Sequence, residues 1–283
     1  MKKLNWPPIC LPVRCIYRQC AYLFTVKTSI KDNALKYQKE VDMLAKIYPD
    51  VVPHNISKLK MPTLTDDEKA DIVKLYDQKF SKQGEMTRKY YDVIFANGGK
   101  TCPICGVGKR KNLDHFLPKS KYPLLCVTPL NLIPTCRDCN MDKGASSSTD
   151  YYDIPFNPYF DETSFLWLSC KIEFDADGGC IPTFGNGIDK SSNPDLYRKC
   201  KAHITQNNLD ETFQNAAINE IEDEKEYYKD LLNECGEDEV KKQIQSHRHS
   251  SEKNDINSWK SALYRALELQ CHEFCEWLTR IYR

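Results

Sequence analysis

Four of the 14 cysteines stand in two pairs, Cys102-Pro103-Ile104-Cys105 and Cys136-Arg137-Asp138-Cys139, with thirty residues between them. A Cys-x2-Cys pair makes a tight knuckle whose thiolates converge on one ion, and two knuckles complete a tetrahedral all-thiolate zinc site. Gly106 suits the turn after the first pair. Four thiolates leave no coordination position open, so this zinc is expected to be structural and not the catalyst. Polar residues that could do chemistry lie between and just after the pairs: Asp114-His115, Asn131, and Asn140 followed by Lys143-Gly144. Hydrolysis of a phosphodiester needs an activated water, a charge-neutralising cation and stabilisation of the leaving oxygen. An imidazole with its ordinary pKa near 6.5 can take the proton of that water at neutral pH. A cation on the scissile phosphate acts as a Lewis acid. Lys119, Lys121 and Lys143 are placed to contact flanking phosphates.

In order and spacing these residues resemble the HNH endonuclease family: Asp-His after the first knuckle, Asn-Leu before the second, Asn-x2-Lys-Gly directly after it. The resemblance runs from Cys102 to Gly144 and implies a ββα-metal finger stapled by zinc. It implies that His115 is the general base, that Asp114 and Asn140 hold a catalytic Mg²⁺ or Mn²⁺, and that Asn131 braces the loop and orients His115 without touching the metal. The family often has histidine where this chain has Asn140; carboxylate, amide oxygen and water suit hard cations. Neighbouring residues on a regular strand face opposite sides, so Asp114 and His115 can serve one site only if the strand twists, bulges or ends at that pair. The layout beyond the finger, with Phe156-Asn157-Pro158-Tyr159-Phe160-Asp161 followed by a hairpin and helices, is similar to the HNH subunits of Septu-type and retron-associated antiphage systems. That likeness implies an ABC-type ATPase as partner subunit. The chain has no Walker-type glycine-rich loop, so any ATP dependence would come from the partner.

Cleavage of DNA is the expectation that follows from the family; composition does not choose between DNA and RNA, and a tRNA nuclease or toxin would use the same finger. A zinc-stapled adaptor that binds nucleic acid or a partner without cleaving is the other reading. In it, His115 is a packed histidine and Asn140 a helix-start residue.

An α+β fold is expected to position these groups, with helices and a basic segment over 1–99, the finger over 100–150, a hairpin region over 151–190 and a helical region over 191–283. Periodicity predicts a helix from Asp32 to Tyr48 stopped by Pro49. Thr65-Asp66-Asp67-Glu68 reads as a capping box that opens a helix with Ile72, Val73, Tyr76 and Phe80 on one face, broken at Gly84. A further helix from Glu85 to Ala96 ends at Asn97-Gly98-Gly99. Phe165–Phe174 and Cys180–Phe184 form a hairpin about Asp175-Ala176-Asp177-Gly178-Gly179. From Asn193 the chain reads as helical, interrupted by a polar stretch over Ser246–Asp255 that carries His247 and His249. It closes with one helix, Ile256–Tyr282, bearing the apolar stripe Trp259, Leu263, Ala266, Leu267, Phe274, Trp277 and Leu278.

The remaining cysteines are read plainly. Cys271 and Cys275 belong to the buried face of the last helix, Cys126 is a small buried thiol, and Cys10, Cys15 and Cys20 are assigned nothing. The opening residues hold Pro7, Pro8, Pro12 and Arg14, which leaves no apolar signal-peptide core. A reducing, cytoplasmic location is therefore expected. No apolar run is long enough for a membrane span.

With 40 basic and 40 acidic side chains the 283-residue chain sums to zero, which at first speaks against a polyanion as substrate. The sum hides its distribution. Lys100–Lys143 holds eight basic and three acidic groups, a balance of +5, and residues 1–31 hold six basic groups and no acidic one. Asn207–Val240 holds twelve acidic and two basic groups, a balance of −10. The finger is basic, and the acidic helical region cancels it.

Overall fold

Apolar residues at three- and four-residue spacing generate most of the structure, and polar side chains cap the start of several helices. The computed structural model describes residues 1–9, 12–26, 28–145, 148–175 and 178–281. Cys10, Ala176, Asp177 and Tyr282, named above, lie outside them. The fold is mixed α+β and mostly helical, with, among the described residues, two small antiparallel sheets of two strands each. Packing divides it into two units: Lys3–Ile104 with Gly108–Asp161, and Met1–Lys2 with Cys105–Val107 and Glu162–Arg283. No helix of the described residues is long and apolar enough to cross a membrane.

In the first unit, α1 (Val13–Tyr22) arises in the basic N-terminal segment, where no pattern was readable, and buries Ile16, Tyr17, Cys20 and Ala21. The single helix expected from Asp32 to Tyr48 is two, α2 (Thr28–Lys36) and α3 (Gln38–Val51). Tyr37 leaves helical geometry between them, its N–H donating to the Ala34 carbonyl three residues back. Pro49 does not stop α3 but sits inside its last turn. Proline there forgoes one N–H bond, and Val52 still donates to the Tyr48 carbonyl. The expected capping box opens α4 (Asp66–Leu75): the Glu68 N–H donates to Thr65 Oγ1 at 3.2 Å and the Thr65 N–H to Glu68 Oε2 at 2.8 Å. Such a cap contributes about 1 kcal/mol. Tyr76–Phe80 continues as a π-helical turn, closed by the Ser81 N–H on the Tyr76 carbonyl five residues back. Ile72, Tyr76 and Phe80 are buried and Val73 half-buried. After Gly84, α5 (Arg88–Ala96) starts three residues later than the pattern suggested and ends before Gly98, whose φ of +76° favours glycine.

α5 packs across a short hairpin of β1 (Asn112–His115) and β2 (Leu132–Thr135). The antiparallel register sets Asn112 opposite Thr135 and His115 opposite Leu132. One residue beyond β2, α6 (Arg137–Lys143) begins with Cys136 as its cap.

The second unit is built on β3 (Leu168–Phe174) and β4 (Cys180–Asn186), paired from Leu168–Asn186 to Phe174–Cys180. Asn193 caps α7 (Pro194–Gln206), and α8 (Leu209–Cys235) follows. The interruption expected at Ser246–Asp255 is absent, because α9 (Glu237–Asn254) runs through it and carries His247 and His249 on a helix. That helix buries only Val240 and Ile244, too few for a readable stripe. Polar contacts with the next helix hold it instead: Arg248 to Glu268 at 3.0 Å, Gln245 to Glu268 at 2.9 Å and Glu252 to Arg265 at 2.8 Å. The single closing helix is also two, α10 (Trp259–Leu269) and α11 (Cys271–Ile281). Gln270 leaves the helix because its amide pairs with the backbone of β3, accepting from the Ile172 N–H and donating to the Ile172 carbonyl. The apolar stripe, which fitted either a core or a partner surface, is core, with only Trp259 half-buried, and Cys271 and Cys275 are buried with it.

Candidate metal centre and polar cleft

The two cysteine pairs meet. Cys102, Cys105, Cys136 and Cys139 are all buried, and their Sγ atoms lie within 4.8 Å of one another. The first knuckle is closed by pairing of Thr101 with Lys109 and by the Cys102 N–H on the Gly108 carbonyl at 2.8 Å. Gly106 takes the left-handed turn, φ +71°, which a side chain would oppose. Cys105 Sγ accepts from the Val107 N–H at 3.5 Å, and Cys136 Sγ from the Cys139 N–H at 3.4 Å. Zinc at about 2.3 Å from each of four sulfurs in a tetrahedron places them roughly 3.8 Å apart, a spacing this cluster accommodates. The four residues can bind zinc and would close its coordination shell.

Beside this staple, in the first unit, a cleft of ≈ 460 Å³ is lined by Asp114, His115, Lys119, Asn140, Tyr76 and Tyr91 among others. Asp114 and His115 are neighbours in sequence, yet both reach it. Of the three ways foreseen, the strand ends: pairing is regular through both residues and β1 stops at His115.

His115 is 7% exposed, its ring edge-on to Tyr76 at 4.4 Å between centroids. Its Nε2 lies 2.8 Å from the Cys126 carbonyl. A carbonyl only accepts, so Nε2 carries the hydrogen and Nδ1 of the neutral ring is left with a lone pair. Burial pushes the imidazole pKa down to about 3; the Cys126 carbonyl works against this, and the ammonium groups of Lys119 and Lys143 add to it. The ring is therefore neutral at physiological pH. Asp114 sits alongside with its carboxyl pKa raised by burial, an effect the Lys143 ammonium opposes. Lys143 is itself buried, and its Nζ donates to Asp114 Oδ2 at 2.8 Å and to the His115 carbonyl at 2.5 Å.

Asn131 is fully buried and outside the cleft lining. Its Oδ1 accepts from the Tyr48 hydroxyl and from the Leu117 N–H, each at 2.8 Å, and its Nδ2 donates to the carbonyls of Leu117 and Leu125 at 3.1 and 3.3 Å. It clamps the loop that carries Cys126, whose carbonyl orients His115. Asn140 projects from α6, half-buried, into the cleft. Lys119 is on its rim, paired with Asp77 and lying 5.2 Å over the Tyr76 ring. Lys121 is exposed and outside the lining. The structure thus brings Asp114, His115, Asn140, Lys119 and Lys143 together, with Asn131 behind them.

Several contributors gave no readable signal. Tyr48 and Tyr76 read as apolar helix positions and Tyr91 as nothing in particular, but Tyr48 bonds Asn131, the Tyr76 hydroxyl donates to the Leu113 carbonyl, and the Tyr91 hydroxyl accepts from the Leu113 N–H. Cys126 is the buried thiol expected, with its Sγ 3.6 Å from the Ile72 carbonyl; its role at the site belongs to its backbone. The Phe156–Asp161 segment braces β2, since the Tyr159 hydroxyl donates to the Leu132 carbonyl at 2.9 Å.

No family model and no solved structure matches the chain. Over 100 residues, 35% of its length, the chain is 41% identical to protein ea31 of Escherichia phage lambda, and the shared segment is 34% of that protein. Over 47 residues, 17% of its length, it is 43% identical to Septu protein PtuB of Bacillus thuringiensis, covering 18% of that protein. The chain spans about a third of the first relative and less than a fifth of the second. What the comparisons and the geometry establish together is a partial relative of a Septu protein, built around a four-cysteine cluster that can hold zinc.

Proposed function

We propose that the chain is an HNH-type endonuclease that hydrolyses phosphodiester bonds in nucleic acid, DNA foremost, as the nuclease effector of an antiphage defence or restriction system. One observation carries this reading: Asp114, His115 and Asn140 converge on a single cleft, with His115 held neutral in one tautomer. The order β1, β2, α6 with a four-cysteine staple accords with a zinc-stapled ββα finger. The partial likeness to a Septu protein supports the defence setting.

Oxygen donors of Asp114 and Asn140 fit a hard divalent cation, and the pairing of Asp114 with an ammonium marks its carboxylate as a seat for positive charge. These two residues would hold Mg²⁺ or Mn²⁺, which when bound neutralises phosphate charge and stabilises the leaving oxygen. His115 presents Nδ1 as the proton acceptor for the attacking water. Its low pKa rises when an anionic phosphate enters the cleft, because nearby negative charge favours the imidazolium. Tyr76 fixes the ring from one side and the Cys126 carbonyl from the other. Lys119 on the rim meets a flanking phosphate by exchanging its Asp77 partner, and Lys121 extends that basic surface. An ABC-type ATPase subunit is the proposed partner and the source of any ATP dependence.

The test is direct. Purified protein is incubated with plasmid, linear DNA and total RNA in the presence of Mg²⁺, Mn²⁺ or EDTA. Metal-dependent cleavage abolished by His115→Ala is expected. Cleavage that survives this substitution removes His115 from the mechanism; cleavage of RNA alone transfers the reading to an RNA nuclease. Binding without cleavage under every condition, with the proposed ATPase partner supplied, leaves the adaptor.

A further inference from the structure

Lys143 lies behind the cleft lining and reaches it through Asp114. It closes α6, is 7% exposed, and directs its ammonium at Asp114 Oδ2 and at the main-chain carbonyl of His115. An exposed lysine can swing its ammonium to a phosphate on a flexible stem; this one is turned inward, with its ammonium on two protein oxygens. Burying a carboxylate alone is strongly unfavourable, and an ammonium within hydrogen-bond distance supplies the missing counter-charge. The geometry points to Lys143 as a built-in counter-cation. It holds the Asp114 carboxyl aimed before any divalent ion arrives, and it competes with that ion for the same oxygen. The bond to the His115 carbonyl ties the end of β1 to the end of α6, so one side chain positions both groups of the Asp-His pair. Lys143 is thus a positioning residue and not a phosphate contact.

This inference rests on the proposal that Asp114 binds the divalent cation, and the two can fail separately. A divalent ion at Asp114 sits within a few ångströms of the ammonium, where like charges at the intermediate dielectric of a protein interior repel strongly. Binding of Mn²⁺ to the zinc-loaded full-length protein is measured by calorimetry and by the shift in melting temperature on adding Mn²⁺. The wild type is compared with Lys143→Met, Lys143→Gln, Lys143→Arg and Asp114→Asn. Methionine keeps the length without the charge, glutamine keeps hydrogen-bond donors without the charge, and arginine keeps the charge.

Mn²⁺ affinity is expected to rise roughly tenfold or more in the neutral variants, with lower melting temperatures that Mn²⁺ restores and a wild-type affinity in Lys143→Arg. Affinity unchanged or weakened in both Lys143→Met and Lys143→Gln overturns the counter-cation, even where wild-type binding depends on Asp114. Unaltered Mn²⁺ binding by Asp114→Asn instead overturns the metal assignment on which the inference stands.

Discussion

Replacing Asn131 by alanine tests the connection between the clamp and the cleft. The substitution removes four hydrogen bonds at once and orphans the Leu117 N–H, the Leu117 carbonyl and the Tyr48 hydroxyl, while the Leu125 carbonyl keeps the Thr128 N–H at 3.1 Å. Each buried group left without a partner costs about 1 kcal/mol or more. With some relaxation in the new cavity, the loop loses on the order of 3 kcal/mol of local stability. That corresponds to roughly hundredfold faster exchange of the protected amides. The Leu117 amide is the sharpest reporter, because its bond is to the Asn131 side chain; hydrogen exchange followed by mass spectrometry or NMR reads it. Tyr48→Phe alone removes one bond and should raise exchange only severalfold. In the Asn131→Ala background the hydroxyl is already orphaned, so adding Tyr48→Phe should change nothing further or recover some protection. The same loop carries the Cys126 carbonyl, so the ¹⁵N shifts of the His115 ring should report a mixture of tautomers. Exchange at Leu117 less than about threefold faster, or fully additive effects of the two substitutions, would refute the clamp.

The zinc staple and the capping box give further expectations. Stripping the ion with a strong chelator, or Cys139→Ser, should unfold the segment around both knuckles, since structural zinc in small domains supplies on the order of 10 kcal/mol. Cobalt substitution should give one equivalent with thiolate charge-transfer absorption; an unchanged melt after complete zinc removal contradicts the staple. Thr65→Ala should destabilise α4 by about 1 kcal/mol in chemical denaturation, and a loss below experimental error counts against the cap. The Glu68 carboxyl is held down to about 2, first by the Lys36 ammonium and then by the Thr65 N–H. Because its folded pKa lies below the unfolded one, its stabilisation is present in full above about pH 4.3 and disappears as pH falls towards 2. Glu68→Gln should therefore flatten acid unfolding in that window, and an identical pH profile for the two proteins would contradict the assignment.

How much was legible depended on whether the information was local. The capping box needs only Thr65 and Glu68 three residues apart, and it formed as read. The hairpin of β3 and β4, the end of α5 at Asn97-Gly98-Gly99 and the meeting of the cysteine pairs were equally local patterns of turn residues and spacing. Helix boundaries failed where distant partners set them. Gln270 breaks the closing helix to pair with Ile172, ninety-eight residues away. α9 persists through a polar stretch because Glu268 and Arg265 receive its side chains. Neither fact has a trace in hydrophobic periodicity.

The candidate site divides in the same way. Residue types and spacing alone determined that two Cys-x2-Cys pairs could converge on an ion, because short-range chain geometry limits how such motifs fold; the set of Asp114, His115 and Asn140 came from the family resemblance. Tertiary structure decided the state of each group. Burial and the Cys126 carbonyl make His115 a neutral ring with one defined tautomer, and Lys143 turns inward to neutralise Asp114. Protonation and tautomer depend on dielectric surroundings and on partners brought from elsewhere in the chain, and only the packed molecule supplies both.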